Sequence, residues 1–383
     1  PTLRPPDRSP SHRSLATADA HTSPLHLEVP ELCMIPARTR IRRAALSGMF
    51  HSRLHRLLER ASRGIGALFT LHHVRPSALR KRFAPNRILE ITPDFLDETI
   101  QLVERLGYEA VSLGECRRRM LERDFRTPFV SFTLDDGYAD NYVHAFPVFA
   151  EHRVPFAIYL CTGLLDGSVR PWWRDLEEIV ARNGRLEMEM KGRGRELTCA
   201  SDDQKKRVFD MIYWALRDMP HDRQTSVLED LVRRYRPPDG ALPAMLSREM
   251  IEEMEDSGLL TIGAHSLTHP ALSKLSRGAL LEEMERSRDR IREWLGVAPS
   301  HFSYPYGDEK SAGRREFEAA RDLGFTTGVT TRKGVLHPEH ADFLHALPRV
   351  SLNGDYQQPH YVELFLTGVP FALHPGLPRI NVV

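Results

Sequence analysis

The stretch that decides the fold is Phe129-Val130-Ser131-Phe132-Thr133-Leu134-Asp135-Asp136-Gly137-Tyr138. Its apolar first part predicts a buried strand, and two adjacent carboxylates at the end of such a strand are costly unless they are paired or bind a metal. Because neighbouring side chains of an extended chain point to opposite sides, Asp135 and Asp136 could take different roles, one towards a cation and the other towards a substrate. An ordinary Asp-Gly turn is the alternative interpretation.

Short apolar runs alternate with amphipathic segments on both sides of this stretch. The runs predict strands at Ala67–Val74, Ala110–Leu113, Phe129–Leu134, Pro155–Cys161, Leu259–Ala264, His301–Tyr304, Phe325–Thr330 and Leu347–Leu352. Helical periodicity lies between them at about residues 94–106, 115–123, 141–152, 277–295 and 313–323. This alternation predicts parallel strands joined by helices, and seven or eight strands favour a closed (β/α) barrel of the α/β class over an open sheet.

Residues 164–258 interrupt the alternation. The interval opens with Pro171-Trp172-Trp173-Arg174-Asp175 and continues with charged, mainly helical segments, so it is interpreted as an insertion between consecutive barrel strands. Loops at the carboxyl ends of barrel strands build the active site, and the insertion is therefore positioned to shape it. No GxGxxG or GxxxxGK[ST] sequence follows a predicted strand, which argues against nucleotide binding.

Two further motifs follow predicted strands. Gly263-Ala264-His265-Ser266-Leu267-Thr268-His269 carries two imidazoles four residues apart, which can converge on one metal ion; surface or hydrogen-bonded histidines are the alternative. One carboxylate and two histidines leave coordination positions open, as a catalytic metal site requires. In Ser303-Tyr304-Pro305-Tyr306-Gly307 the proline fixes the backbone and directs the Tyr306 amide, and an oriented N–H beside a metal suits an oxyanion.

The ordered set TLDDGY, HSLTH and SYPYG resembles the polysaccharide deacetylase (NodB-homology) family, carbohydrate esterase family four, over roughly residues 66–352. The resemblance implies a distorted (β/α) barrel that removes N-acetyl groups from amino sugars with a divalent metal. Zinc is the expected metal, with cobalt, nickel and manganese as other candidates. By position, the resemblance implies Asp135 as the general base, Asp136, His265 and His269 as the metal ligands, and the Tyr306 amide as the oxyanion donor.

Several residues are expected to bind substrate. The run Leu71-His72-His73-Val74 is similar to the YHxV strand end of some family members, so His72 either lines the pocket or is simply hydrogen-bonded at a strand end. Trp172 and Trp173 either stack on sugar rings or anchor the insertion as buried aromatics. The predicted substrate-binding set is completed by Tyr138, Tyr304 and Pro305.

Two departures from the family pattern bear on catalysis. The third motif of the family usually begins with an arginine that orients the base, and this chain has Ser303 at that position. Arg349, on the last predicted strand, is the candidate replacement, with an ordinary surface arginine as the alternative. The closing LxH motif, which supplies the general acid, has no clear counterpart, and His374 is a poor match to it. The general acid is therefore unassigned.

The composition excludes several classes of protein. The 383 residues carry 53 Lys+Arg against 52 Asp+Glu, so no protein-wide basic field predicts nucleic-acid binding. No apolar run has the length of a transmembrane helix, and no standard secretory signal is recognisable. Four cysteines without short paired spacing are typical of a reducing compartment, which favours a cytoplasmic location.

The amino-terminal region is locally basic. Residues 1–63 contain eleven arginines and no lysine against five acidic residues. Residues 1–33 lack periodicity and are predicted to be a disordered or non-native extension, and residues 353–383 a carboxyl-terminal tail. Residues 34–65 predict a basic amphipathic helix. That helix either packs on the domain or makes peripheral contact, through residues 34–64, with the anionic inner face of a membrane.

These features predict a metal-dependent hydrolase that removes N-acetyl groups from amino sugars in an N-acetylated oligo- or polysaccharide and releases acetate. One alternative is a catalytically impaired deacetylase-like barrel that serves as a carbohydrate-binding or scaffold protein. Another is a hydrolase of a different amide or ester. A non-haem iron oxygenase also uses two histidines and one carboxylate, but the second aspartate and the order of the motifs argue against it.

Overall fold

The fold is taken from a computed structural model that describes residues 37–79, 81–190, 193–236, 243–374, 376 and 378–382. The extension predicted for residues 1–33 lies outside the described residues. The strands are β1 Gly66–Leu71, β2 His73–Val74, β3 Glu90–Ile91, β4 Glu109–Ala110, β5 Phe129–Asp136, β6 Phe156–Leu160, β7 Arg185–Met190, β8 Arg193–Thr198, β9 Leu260–Ala264, β10 His301–Ser303, β11 Thr327–Lys333 and β12 Leu347–Ser351.

A closed barrel of parallel strands is the centre of the described fold. Its order is β1-β12-β11-β10-β9-β6-β5, and pairing of β5 with β1 closes the ring; the short β4 adds to β5. The predicted distorted (β/α) barrel is therefore confirmed, with seven strands in the ring. The expected strand Ala110–Leu113 is shorter than predicted because Leu113 begins a helix, capped by the Ser112 hydroxyl, which accepts from the Glu115 amide at 3.2 Å.

Helices connect the strands and cover the barrel. They are α1 Ala37–His51, α2 Leu54–Ser62, α3 Pro93–Arg105, α4 Leu113–Glu122, α5 Phe146–His152, α6 Thr162–Leu165, α7 Trp172–Arg182, α8 Asp202–Asp218, α9 His221–Tyr235, α10 Arg248–Asp256, α11 Arg277–Leu295, α12 Arg314–Asp322, α13 Pro359–Leu366 and α14 Val369–Ala372. Local sequence sets their ends. The hydroxyl of Ser276 accepts from the Ala279 amide at the start of α11, and Gly296 ends it at a φ of 80°.

Alternation along the strands decides which side chains face the inside of the barrel. Leu68, Tyr159, Val329 and Leu347 come from four different strands and form one buried cluster, so they point inward. Arg349 lies two residues after Leu347 and shares its side of the strand. The buried Arg349 side chain therefore enters a low-dielectric interior, where a charge requires a partner.

The insertion lies where it is predicted, between β6 and β9, which pair directly with each other. It contains α7 to α10 and has its own apolar core, which includes Ile179, Leu186 and Ile212. The antiparallel hairpin of β7 and β8 was not predicted. The sequence feature that indicates this hairpin is the alternation of apolar Leu186 and Met188, which are buried, with glutamates, which are exposed.

The two ends of the described chain pack against each other. The single helix expected over 34–65 is two helices, because Arg53 takes a left-handed φ of 58° and the turn stacks Phe50 on His55. The predicted carboxyl-terminal tail contains α13 and α14 among its described residues, and the Ser62 hydroxyl donates to the Thr367 carbonyl at 2.9 Å. Among the described helices, none is both long and apolar enough to cross a bilayer.

Candidate active site

The three sequence motifs and Arg349 meet at the carboxyl ends of the barrel strands. Asp135 and Asp136 end β5, and the histidine motif follows β9 directly. Ser303 ends β10, and Arg349 lies on β12. Because parallel strands end at the same edge, residues far apart in the chain come together, as expected for this architecture.

Asp136, His265 and His269 form a buried cluster that could hold a metal ion. Their ligand atoms lie within 4.8 Å of one another. The Oδ1 atom of Asp136 is 3.4 Å from Nε2 of His265 and 3.3 Å from Nε2 of His269, and it has no hydrogen-bond partner. A buried carboxylate oxygen without a partner is costly, and its convergence with two imidazole nitrogens fits a divalent cation.

The surroundings set the tautomer of His265 and favour the ligating forms of His269 and Asp136. Nδ1 of His265 is 2.7 Å from the Ser303 carbonyl, which can only accept, so Nδ1 carries the proton and Nε2 is free to bind. Burial lowers the pKa of His269, which favours its neutral form. Burial raises the pKa of Asp136, but the two imidazoles outweigh it and hold that pKa well below 3.8.

Arg349 forms a bidentate ion pair with Asp135. Its Nη1 donates to Oδ1 at 2.9 Å and its Nη2 to Oδ2 at 2.6 Å. Nη2 also donates to the Ser303 hydroxyl at 3.1 Å, so the arginine reaches the base across the position where the family usually carries its own arginine. Burial raises the pKa of Asp135, but Arg349 and neighbouring imidazoles leave it below its ordinary value, so this carboxylate is ionised at neutral pH.

Left-handed backbone is concentrated at this site. Among the described residues, seven other than glycine have a positive φ, and four of these are Asp136, Ser266, His269 and Tyr306. Such conformations are costly and persist where the surroundings over-determine them, typically at functional sites. The Tyr306 carbonyl accepts from the Thr331 hydroxyl at 2.5 Å, which helps to fix the direction of the neighbouring amides.

The remaining predicted pocket residues surround this cluster. His72 is half-buried, and burial lowers its pKa against the opposing attraction of Asp136 and Asp135. Tyr138 is fully buried with its ring stacked at 3.7 Å on His73, and burial raises its pKa well above 10. The buried Pro305 lies directly before Tyr306 in the loop that follows β10.

The two tryptophans of the insertion take positions that fit the anchoring alternative. The buried Trp173 ring lies 4.9 Å from the ring of His269. Trp172 is half-buried, stacks on Tyr213 at 5.1 Å and donates its Nε1–H to the Tyr306 hydroxyl at 2.8 Å. Both side chains therefore tie the insertion to the site.

Two residues are not brought to the site. Tyr304, predicted to bind substrate, is fully buried in the main core, and its hydroxyl donates to the His345 carbonyl at 2.8 Å, so the structure does not bring this side chain to the cluster. His374 is exposed just after α14, which packs against α2 next to the amino-terminal end of β1. The site lies at the opposite ends of the strands, so His374 does not supply its general acid.

One residue that holds the histidine loop was missed in the sequence. The carboxylate of Glu283, on α11, accepts from the amides of Leu267 and Thr268 at 3.0 and 2.9 Å and from the Thr268 hydroxyl at 2.6 Å. Glu283 lies in a helix rich in charged residues, and nothing local distinguishes it from the exposed glutamates beside it.

Comparison with known proteins gives the family of the chain and solved structures of similar fold. A family model described as polysaccharide deacetylase matches residues 122–328, more than half of the chain. The Streptococcus pyogenes deacetylase PplD, solved in complex with acetate, is similar with a TM-score of 0.53 and 18% identity over 78% of this chain and 97% of that one. IcaB from Ammonifex degensii is similar with a TM-score of 0.50 and 20% identity over 79% and 97% of the two chains.

A curated sequence relative gives a shorter match. The uncharacterized protein YlxY of Bacillus subtilis (strain 168) is 37% identical over 51 residues, which are 13% of this chain and 16% of that protein. The match therefore spans about one sixth of that relative. The family model, in contrast, covers the strand with Asp135 and Asp136, the histidine motif and the Tyr306 loop. The chain belongs to the polysaccharide deacetylase family of hydrolases.

Proposed function

We propose that this protein is a divalent-metal-dependent deacetylase that removes N-acetyl groups from amino sugars of an oligo- or polysaccharide and releases acetate. One observation carries the proposal: the ionised Asp135, paired with Arg349, directly precedes Asp136, which converges with two imidazoles. A base and a cation site side by side are what hydrolysis of an unactivated amide needs.

Asp136, His265 and His269 would hold the cation. Their mixed nitrogen and oxygen donors suit zinc, with cobalt, nickel and manganese as the other candidates. When bound, such a cation polarises an acetamide carbonyl and lowers the pKa of water. The free Oδ1 atom of Asp136 is the feature of this chain that supports cation binding.

The chain's own groups perform the proton transfers. Asp135 accepts a proton from the attacking water, and Arg349 keeps this carboxylate ionised and fixes its orientation. The Tyr306 amide donates to the oxyanion of the tetrahedral stage. His72, whose neutral form burial favours, would line the pocket near both aspartates as a substrate-binding residue.

The experiment is acetate release from N-acetylglucosamine oligomers after metal reconstitution, with and without chelator. The Asp135→Asn variant should retain its metal and lose about 10²–10⁴-fold in turnover, because the base is gone and the ligands are intact. Asp322→Asn, at an exposed carboxylate on α12, is the matched control. Metal binding and oligosaccharide binding without acetate release would support the impaired-barrel alternative instead.

We also infer peripheral contact with an anionic membrane through α1 and α2. These helices expose Ile41, Leu54, Leu57 and Leu58 at 69, 47, 79 and 38%. Residues 37–63 contain eight arginines against the single acidic Glu59. Exposed apolar side chains flanked by arginines complement the acyl chains and headgroups of anionic lipid. A cytoplasmic location agrees with the free, buried Cys116, Cys161 and Cys199.

Vesicle co-sedimentation of the full chain tests the membrane contact. Vesicles of phosphatidylcholine with phosphatidylglycerol should bind the protein, and pure phosphatidylcholine vesicles should bind it much less. Leu57→Glu should abolish binding, whereas Val297→Glu, at a 68% exposed apolar side chain on a different surface loop, should leave it unchanged. Equal binding by the two variants would exclude this surface as the lipid contact.

A further inference from the structure

The insertion contacts the catalytic barrel at the side chain of Tyr306. We infer that Arg217, on α8 of the insertion, is a positioning residue that holds the Tyr306 loop so that its backbone amide faces the reacting carbonyl. The inference rests on the proposed function, in which this amide stabilises the oxyanion. It assigns the insertion a part in catalysis that the barrel motifs alone do not supply.

Arg217 packs against the Tyr306 loop, which is residues 304–313 between β10 and α12. Its guanidinium carbon lies 3.5 Å from the centroid of the Tyr306 ring, and its side chain is only 7% exposed. Its Nη2 donates to Oδ2 of Asp308 at 2.8 Å and to the hydroxyl of Ser311 at 2.9 Å. A planar guanidinium that stacks on a ring and donates to two side chains of the same loop restricts both the ring and the loop.

The Tyr306 ring is also held on its other sides. Trp172, on α7, donates to its hydroxyl at 2.8 Å, and the ring of His269 meets it edge-on at 4.8 Å. The backbone of Tyr306 has a φ of 62°, which a tyrosine adopts only where its surroundings impose it. The cation over the ring and the bond to the hydroxyl both come from the insertion.

The backbone of Arg217 is fixed to the barrel as well. The Nζ atom of Lys274, in the loop after the histidine motif, donates to the carbonyls of Arg217 and Met219 at the end of α8. The loop after the histidine motif and the Tyr306 loop are therefore both joined to the carboxyl-terminal end of α8. The end of α8 thus helps to set the position of the Tyr306 loop relative to the histidine motif.

Kinetics of Arg217 variants test the inference. Arg217→Met should lower kcat about 10–100-fold with KM and metal content close to wild type, because misplacing an oxyanion donor affects the transition state more than binding. Arg217→Lys should recover part of the loss, since a cation remains over the ring without the planar fork. Arg223→Met, at an arginine 56% exposed on α9 of the same insertion, should be unchanged.

A double-mutant cycle separates positioning from plain stabilisation. If Arg217 acts through the Tyr306 side chain, Arg217→Met should change kcat less than about threefold when introduced into a Tyr306→Ala background. Equal effects in the two backgrounds would overturn the inference, as would a loss confined to KM or to metal content.

Hydrogen exchange gives a readout that does not depend on activity. Mass spectrometry should show faster exchange of the peptide spanning residues 304–309 in Arg217→Met than in wild type or Arg223→Met. Unchanged exchange there would refute the positioning role. If the wild type releases no acetate from any substrate, the proposed function fails, and the exchange result still decides whether Arg217 holds the loop.

Discussion

Replacing Arg349 with methionine tests how much the stability of the barrel depends on the buried Asp135–Arg349 ion pair. Methionine keeps much of the length of the side chain and removes the guanidinium. The variant leaves the Asp135 carboxylate, 2% exposed, without its ion partner, and Thr133 and Ser303 lose a donor. Removing one member of a buried pair costs about 3–5 kcal/mol of folding free energy. For a chain of 383 residues that corresponds to a fall in Tm of roughly 4–6 °C.

The stability lost in Arg349→Met should become smaller as the pH falls. In the wild type the pKa of Asp135 is below its unfolded value of 3.8, so its contribution to stability is present above that pH and is lost as pH falls through the folded pKa. Without the guanidinium, burial dominates and raises the pKa of Asp135. Asp135 in the folded variant therefore takes up a proton more readily than it does in the unfolded chain. The gap in stability between wild type and Arg349→Met should therefore narrow from pH 7 to pH 5.

Urea unfolding of the full chain in chelator, at pH 7 and pH 5, measures this effect without a contribution from metal. Arg286→Met, at a 59% exposed arginine paired with Glu282, is the matched control and should change the free energy of unfolding by less than about 0.5 kcal/mol. Adding Asp135→Asn to Arg349→Met should restore part of the stability, because no charge is then buried alone. A loss below about 1 kcal/mol at pH 7, or a gap independent of pH, would refute the reasoning.

Three further predictions concern the histidine motif, residues 263–269, and the helix residue Glu283 that holds it. Glu283→Gln should weaken zinc affinity about 10–100-fold by calorimetry, since the carboxylate that holds the histidine loop loses its charge; wild-type affinity would contradict this role. His265→Ala should lose metal occupancy in elemental analysis, and full occupancy would remove it from the ligand set. Gly263→Ala should cost about 1–3 kcal/mol in urea unfolding, because its Cβ would lie 2.2 Å from the Tyr159 ring; Gly184→Ala, in open space, is the control.

The barrel and the cluster of aspartates and histidines at its strand ends could be predicted because both depend on local patterns. Strands buried on both faces appear as unbroken apolar runs, and chemistry at their carboxyl ends appears as polar residues directly after each run. Asp135, Asp136 and the two motif histidines follow this rule. Arg349 could be named only as a candidate, because a buried arginine and a surface arginine look alike in sequence.

The rest of the site depends on tertiary placement. Glu283 and Arg217 lie on helices rich in charged residues, and only packing shows that one holds the histidine loop and the other covers Tyr306. For Tyr304 the sequence motif suggests a place at the site that the packing does not give. It belongs to a motif near the site, but it follows β10 directly and its side chain enters the core beneath α12.

The closure of the ring has a consequence for how the protein becomes active during folding. Phe69 of β1 pairs both with Phe132 of β5 and with Val350 of β12, so the last strand of the barrel joins the first. Contacts between such distant segments form slowly, because a long chain must be brought together before they are gained. Arg349 arrives on that last strand. Until β12 docks, Asp135 has no guanidinium, so recovery of acetate release during refolding should coincide with ring closure and follow the appearance of secondary structure.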